Sequence, residues 1–190
     1  MNQPRNAAAD SWGPLSGLPG NPLMWVLIIS ELLVFGLALI GYAGARAFDP
    51  TGFAAAQDEL DRLAGTINTG VLLTSGCFAA LAVEAARAGN KRGARIWLSA
   101  AAVLGIVFLV VKGFEYATEL QAGRSLDTPG FFMLYFLITG FHALHVCAGL
   151  VILGLVAIWP TIDNLETGAA FWHMVDLIWL IVFPCLYLFR

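Results

Sequence analysis

Five long stretches of this chain carry almost no charge, and they leave it one way to fold. Around residues 24–45, 67–87, 96–120, 131–159 and 169–189 the sequence runs predominantly apolar. A helix crosses a bilayer with about 20 apolar residues. An open strand in lipid would leave its backbone N–H and C=O groups unsatisfied, and no period-2 alternation marks a membrane barrel. The expected fold is therefore all-α, an integral membrane bundle of five transmembrane helices. Composition agrees: 59% of the residues are hydrophobic and 12% are charged, against about 25% charged in an ordinary soluble domain. That balance excludes a water-soluble globule and a disordered tail. A net charge of −3 also leaves no basic footprint for nucleic acid.

The segments between the runs complete the organisation. Residues 1–22, rich in Pro, Gly, Asn and Ala, read as a polar tail, and residues 23–190 as one membrane domain. The tail has no apolar core of a signal peptide. The connector DPTGFAAAQDELDRLAGT has room for one or two interfacial helical turns. AGNKRGAR, QAGRSLDTPG and TIDNLETG read as turns, and Pro184 is placed to kink the last helix locally. Cys77, Cys147 and Cys185 lie far apart with no CxxC spacing, and read as buried small hydrophobes. Gly36, Gly41, Gly44, Gly149 and Gly154 read as close-packing positions. No internal repeat supports an inverted-repeat transporter.

Orientation follows from the basic residues. Arg5, Arg87, Lys91, Arg92 and Arg95 fall on one side, and Arg46, Arg62, Arg124 and Arg190 on the other. The one dense cluster is the short loop after the second run. The opposite side also carries Asp49, Asp58, Glu59, Asp61, Glu119 and Asp127. The expectation is a cytoplasmic N-terminus and a periplasmic C-terminus. Trp25, Trp97, Trp159 and Trp172 would then form an aromatic belt at the cytoplasmic side.

A charge at membrane depth costs at least about 2.5 kcal/mol on insertion scales, so each embedded one needs a reason. Glu31, Lys112, Glu115 and Asp176 are the deep charges; His142, His145 and His173 accompany them. Lys112/Glu115, His142/His145 and His173/Asp176 are spaced i,i+3, which puts both members on one helical face. Lys112 and Glu115 can neutralise each other, or meet a partner. Glu31 and His145 lie at matching depth, so a buried carboxylate is expected to face an imidazole. A proton relay and a polar packing lock are both open to such a pair. A metal or haem site fits poorly. His142 or His145 would differ from His173 in depth by roughly 9 Å or more, whereas ligands of one zinc lie within about 4 Å of each other. No catalytic, cofactor-binding or metal-binding residue is therefore expected. The sequence also lacks GxSxG and HExxH. On the residues alone, an independent proton or small-solute transporter, or a homo-oligomeric scaffold that shapes lipid, would use the same embedded groups.

Five segments, in order, resemble one family. MWVLIISELLVF is similar to the helix of cytochrome c oxidase subunit III that carries its membrane-embedded glutamate, here Glu31. INTGVLLTSG resembles the next helix. LVVKGFEYATEL resembles the segment ending in Glu-Tyr, here Glu115 and Tyr116. LITGFHALHVCAGLVIL resembles the Gly-Phe-His-x-x-His segment, with His142 and His145. LETGAAFWHMVDLIWLIVFPCLYLFR resembles the last helix, with Trp172, His173, Asp176 and Trp179. Lys112 lies within LVVKGFEYATEL but is not part of a family motif that carries over. The mitochondrial type has seven helices, and this chain starts at what would be the third. The five-helix form resembles bacterial subunits of quinol oxidases. Its LPGNPLMW lead-in and its ending are most similar to the NorE type associated with nitric oxide reductase.

The resemblance implies a non-catalytic accessory subunit in a bacterial inner membrane, with no cofactor of its own. It would pack beside a haem–copper catalytic subunit that holds the haem and metal, and bind phospholipid between its helices. It would support assembly, stability or sustained turnover. A catalytic subunit of that class needs six histidine ligands, and this chain has 3 histidines.

Overall fold

A computed structural model describes residues 22–189. The polar tail before them, with Arg5, and Arg190 at the end lie outside the described residues. The elements are α1 (Pro22–Phe48), α2 (Pro50–Asp58), α3 (Arg62–Arg87), α4 (Lys91–Gln121), α5 (Phe131–Ile158) and α6 (Ile162–Phe183). A π-helical turn, Pro184–Leu188, continues α6. Among the described residues there is no strand. Five helices, all but α2, are long and apolar enough to cross a membrane, as the apolar runs require.

The helices overrun the apolar runs because their ends are set by caps rather than by hydropathy. Thr161 accepts from the backbone N–H of Asn164 at 3.2 Å, with Asp163 in the first turn of α6. Helix α6 thus starts at Ile162, and most of the expected loop TIDNLETG is its opening turns. Asp61 caps α3 through the Ala64 N–H at 3.0 Å, and Asn90 caps α4 through the Gly93 N–H at 2.8 Å. Such side chains satisfy helical N–H groups that have no partner in the helix. Helix α3 is stopped by Gly89, at a φ of +77° that suits a residue without a Cβ. The connector is more helical than the one or two turns expected: Asp49 caps α2 through Gly52 N–H at 3.0 Å and Pro50 starts it.

Helix α6 is the axis of the bundle. It packs against α1, α3 and α5, while α4 joins α3 to α5. Helix α1 is peripheral, touching α2, α5 and α6, and turns Ile29, Leu33, Leu37 and Ile40 outward. The large buried side chains Trp172, Trp179, Tyr135, Tyr187 and Phe108 fill the interior.

Trp172 departs from the aromatic-belt expectation. It is fully buried, and its Nε1–H donates to Ser75 Oγ at 3.0 Å. Ser75 donates in turn to the Ala101 carbonyl at 2.7 Å. Two glycines make room for the indole. A Cβ on Gly105 would stand 2.6 Å from Trp172, and one on Gly149 2.7 Å from it. One residue of α6 thus ties α3, α4 and α5 together. The other glycines expected to be close-packed, Gly36, Gly41, Gly44 and Gly154, have open space where a Cβ would be. Cys77 and Cys147 are exposed on the outside of the bundle rather than buried, and Cys185 is intermediate. Hydropathy marks a residue as lipid-compatible, and a lipid-facing surface is as apolar as a core.

Candidate functional site: embedded polar pairs and an interhelical cleft

The embedded polar residues separate into distinct groups. The first lies on the seam between α1 and α5. His145 Nε2 stands 3.0 Å from Glu31 Oε2. His145 Nδ1 lies 2.9 Å from the Phe141 carbonyl. A carbonyl only accepts, so Nδ1 carries a proton and Nε2 faces the carboxyl group. One proton therefore bridges the pair, on the imidazole or on the carboxyl. The Phe35 and Phe141 rings flank His145, with centroids 5.4 and 4.6 Å away. The matching depths of Glu31 and His145 in the sequence did identify this contact.

His142 shares a helical face with His145 in sequence but not its neighbours. It is fully buried, stacked on Trp179 at 5.0 Å and edge-on to Phe108 at 5.7 Å. Neither ring nitrogen has a partner among the described residues. The i,i+3 step turns about 60° around the helix axis. That is enough to point His145 at α1 and His142 into the core.

The second group is centred on Lys112, which is 2% exposed. Its Nζ pairs with Glu115 Oε2 at 3.2 Å, the local neutralisation that the i,i+3 spacing permits. Sequence reading missed its other partners. Nζ also donates to Tyr135 Oη on α5 at 2.9 Å and to Tyr187 Oη of the π-helical turn at 2.6 Å. No local pattern announces contacts 23 and 75 residues away.

The third group lines a cleft of about 520 Å³ between α1, α3 and α6. Its walls are apolar, with Trp25, Ile28, Leu32, Val83 and Met174 among them, and its polar rim is Glu84, Arg87, Glu166 and His173. Arg87 bridges helices by pairing with Glu166 at 2.9 Å, and with Glu84 at 3.2 Å. His173 Nδ1 lies 3.8 Å from Asp176 Oδ2. Asp176 is buried and packs against α3 at Gly76, where any side chain would meet its carboxylate.

At the other end of the bundle, Arg124 pairs with Glu119 at 2.6 Å and with Glu59. Gln57 Nε2 of α2 lies 3.0–3.1 Å from Tyr42 Oη and the carbonyls of Cys185 and Leu186, three acceptors that share its two hydrogens. Neither was singled out from sequence. Among the described residues, no three His, Cys, Asp or Glu side chains are grouped to hold a metal ion.

Five spanning helices with embedded, internally paired charges define a multi-pass membrane protein. The family model for "Cytochrome c oxidase subunit III" matches residues 23–190. The chain is 34% identical to "Cytochrome c oxidase subunit 3" of Thermostichus vulcanus, with 86% of this chain and 84% of that protein covered. It is 27% identical to "Probable cytochrome c oxidase subunit 3" of Mycobacterium tuberculosis, covering 87% and 85%. It is 29% identical to "Cytochrome bo(3) ubiquinol oxidase subunit 3" of Pseudomonas aeruginosa, covering 86% and 82%. The chain belongs to the cytochrome c oxidase subunit III family.

Proposed function

We propose that this chain is a non-catalytic accessory subunit of a respiratory haem–copper oxidase or nitric oxide reductase complex. It sits in a bacterial inner membrane, supports assembly, stability or sustained turnover, and brings no cofactor of its own. The observation that carries this reading is the family match over residues 23–190. The relatives' names, subunits of a cytochrome c oxidase and of a ubiquinol oxidase, supply the kind of partner. That partner is the haem–copper catalytic subunit, which would hold the haem and metal. The NorE assignment rests on the LPGNPLMW lead-in and the form of the last helix.

Phospholipid is the ligand that suits the cleft. Its walls match acyl chains, and its charged rim at the end of α3 and the start of α6 lies where a headgroup would sit. The basic loop beyond that rim, with Lys91, Arg92 and Arg95, supports a cytoplasmic setting for this end. The embedded residues Glu31, Lys112, Glu115, His142, His145, His173 and Asp176 act in packing rather than catalysis. Local neutralisation of Glu31 by His145 and of Lys112 by Glu115 favours this over a solute pathway.

Purification of the complex through a tag on this chain tests the reading. The expected result is a haem protein recovered with it, together with bound phospholipid that decreases when Ala170 or Ala80 in the cleft wall is replaced by Trp. Stoichiometric haem or metal on the separated chain would overturn it, and so would solute movement by the chain alone in liposomes.

A further inference from the structure

The cluster at Lys112 has a closed proton count. Three oxygens lie within reach of its Nζ, one for each ammonium hydrogen: Tyr187 Oη at 2.6 Å, Tyr135 Oη at 2.9 Å and Glu115 Oε2 at 3.2 Å. Glu115 Oε1 then accepts from both phenols, from Tyr135 at 2.6 Å and from Tyr187. Two ammonium hydrogens and two phenol hydrogens make four hydrogen bonds, and the third ammonium hydrogen is left to the ion pair with Glu115 Oε2. Shifting the proton from Lys112 to Glu115 preserves the count. A sixth proton would set donor against donor, and loss of one would leave two acceptors facing each other. The cluster is neutral as a unit and admits no net proton without breaking a contact.

We propose that Lys112, Glu115, Tyr135 and Tyr187 form a proton-tight brace that fixes the C-terminal π-helical turn to α4 and α5, and that they are not a step in a proton route. The turn needs such a brace. Pro184 has no N–H, and the backbone widens there so that the Phe189 N–H reaches the Pro184 carbonyl at 2.9 Å. Gln57 and Arg46 hold the turn only by its backbone carbonyls, Arg46 by that of Phe189 at 2.5 Å. Tyr187 is its polar side-chain anchor in the core. The Nζ also lies 5.3 Å from the Trp179 ring of α6 and 4.7 Å from that of Tyr135, so the ammonium is surrounded by electron-rich faces.

The neighbouring titratable groups come from α4, from α5 and from the loop before α3. On α4, Tyr116 shares a hydrogen with Thr139 at 2.6 Å, and Glu119 is held by Arg124. On α5, His142 stacks on Trp179. From the loop before α3, Glu59 and Asp61 line, with Glu115 and Glu119, a crevice of about 280 Å³. That crevice brings Glu115 within reach of water, so the closed count rather than isolation keeps protons out.

Two measurements on the full complex decide the matter. Hydrogen–deuterium exchange read by mass spectrometry should accelerate at residues 184–189 at least tenfold in Tyr187→Phe and in Lys112→Met, with α3 unchanged. In the double variant Lys112→Met/Glu115→Leu, exchange should be slower than in Lys112→Met alone, because no lone buried charge remains. Tyr187→Phe removes one hydroxyl and keeps the ring and the Lys112–Glu115 pair, so it tests the brace without leaving a lone buried charge. The pH profile of turnover should be the same in Tyr187→Phe as in the parent. Unchanged exchange at the turn in Tyr187→Phe would overturn the brace, and a displaced pH profile would overturn the exclusion of these residues from a proton route.

Discussion

Trp172 shows how much one residue can organise when two others are absent of side chain. Its indole occupies the space left by Gly105 on α4 and Gly149 on α5, and its N–H is spent on Ser75 of α3. Replacing Gly149 by Leu should destabilise the bundle by about 1–3 kcal/mol through overpacking. Ser75→Ala leaves the indole N–H without its acceptor in the core and should cost about 1–3 kcal/mol. Thermal unfolding of the detergent-solubilised chain measures both; wild-type melting in either variant would refute the wedge. Glu31→Ala removes the partner of His145. The expected outcome is a complex with normal haem content that loses activity faster during turnover or assembles more weakly, followed by haem spectra and a time course. A change in haem content would instead place Glu31 in the cofactor machinery. At this scale the sequence was informative where a contact is local or depth-matched, as for Lys112/Glu115 and Glu31/His145. It was silent on Ser75, Gln57 and Tyr187, because their partners lie at least 15 residues away and follow no pattern.

The elements owe their position to their ends. Hydropathy located the middle of each helix, since lipid solubility is what an apolar run encodes. It placed several boundaries too far inward, because Asp61, Asn90 and Thr161 start their helices from polar ground. Helix α2 is the clearest case of an element whose role sequence left open. It is short, and its stability comes from docking: Phe53 and Gln57 are its buried residues. Among the described residues, Gln57 is the side chain that donates to the carbonyls of Cys185 and Leu186 in the π-helical turn. Gln57→Leu should therefore cost about 1–3 kcal/mol, since it strands buried carbonyls in an apolar setting. It should also loosen α2 and the C-terminal turn together, which limited proteolysis of the 49–61 segment would detect. An unchanged cleavage rate would mean that α2 is held by Phe53 alone.

As a whole, the molecule is a bundle built around α6, with α1 on its flank and a cleft between them. The class and the helix count were readable from five apolar runs, because a bilayer leaves few alternatives. Which faces point inward was not readable, since lipid-facing and core-facing residues are equally apolar. Cys77, Cys147 and four of the five glycines singled out are examples. The family followed from motifs in order along the chain rather than from any one site. The consequence proposed for the molecule is assembly with a partner. The embedded charges are largely neutralised within the chain, and the outward faces are apolar along α1. The most direct measurement is an affinity purification of the tagged chain from its native membrane in mild detergent, with subunits quantified and the optical spectrum recorded. The account predicts a haem–copper catalytic subunit in about equal amount, with every haem band lost from this chain once the two are separated. Recovery of this chain alone, active as a transporter in liposomes, would contradict it.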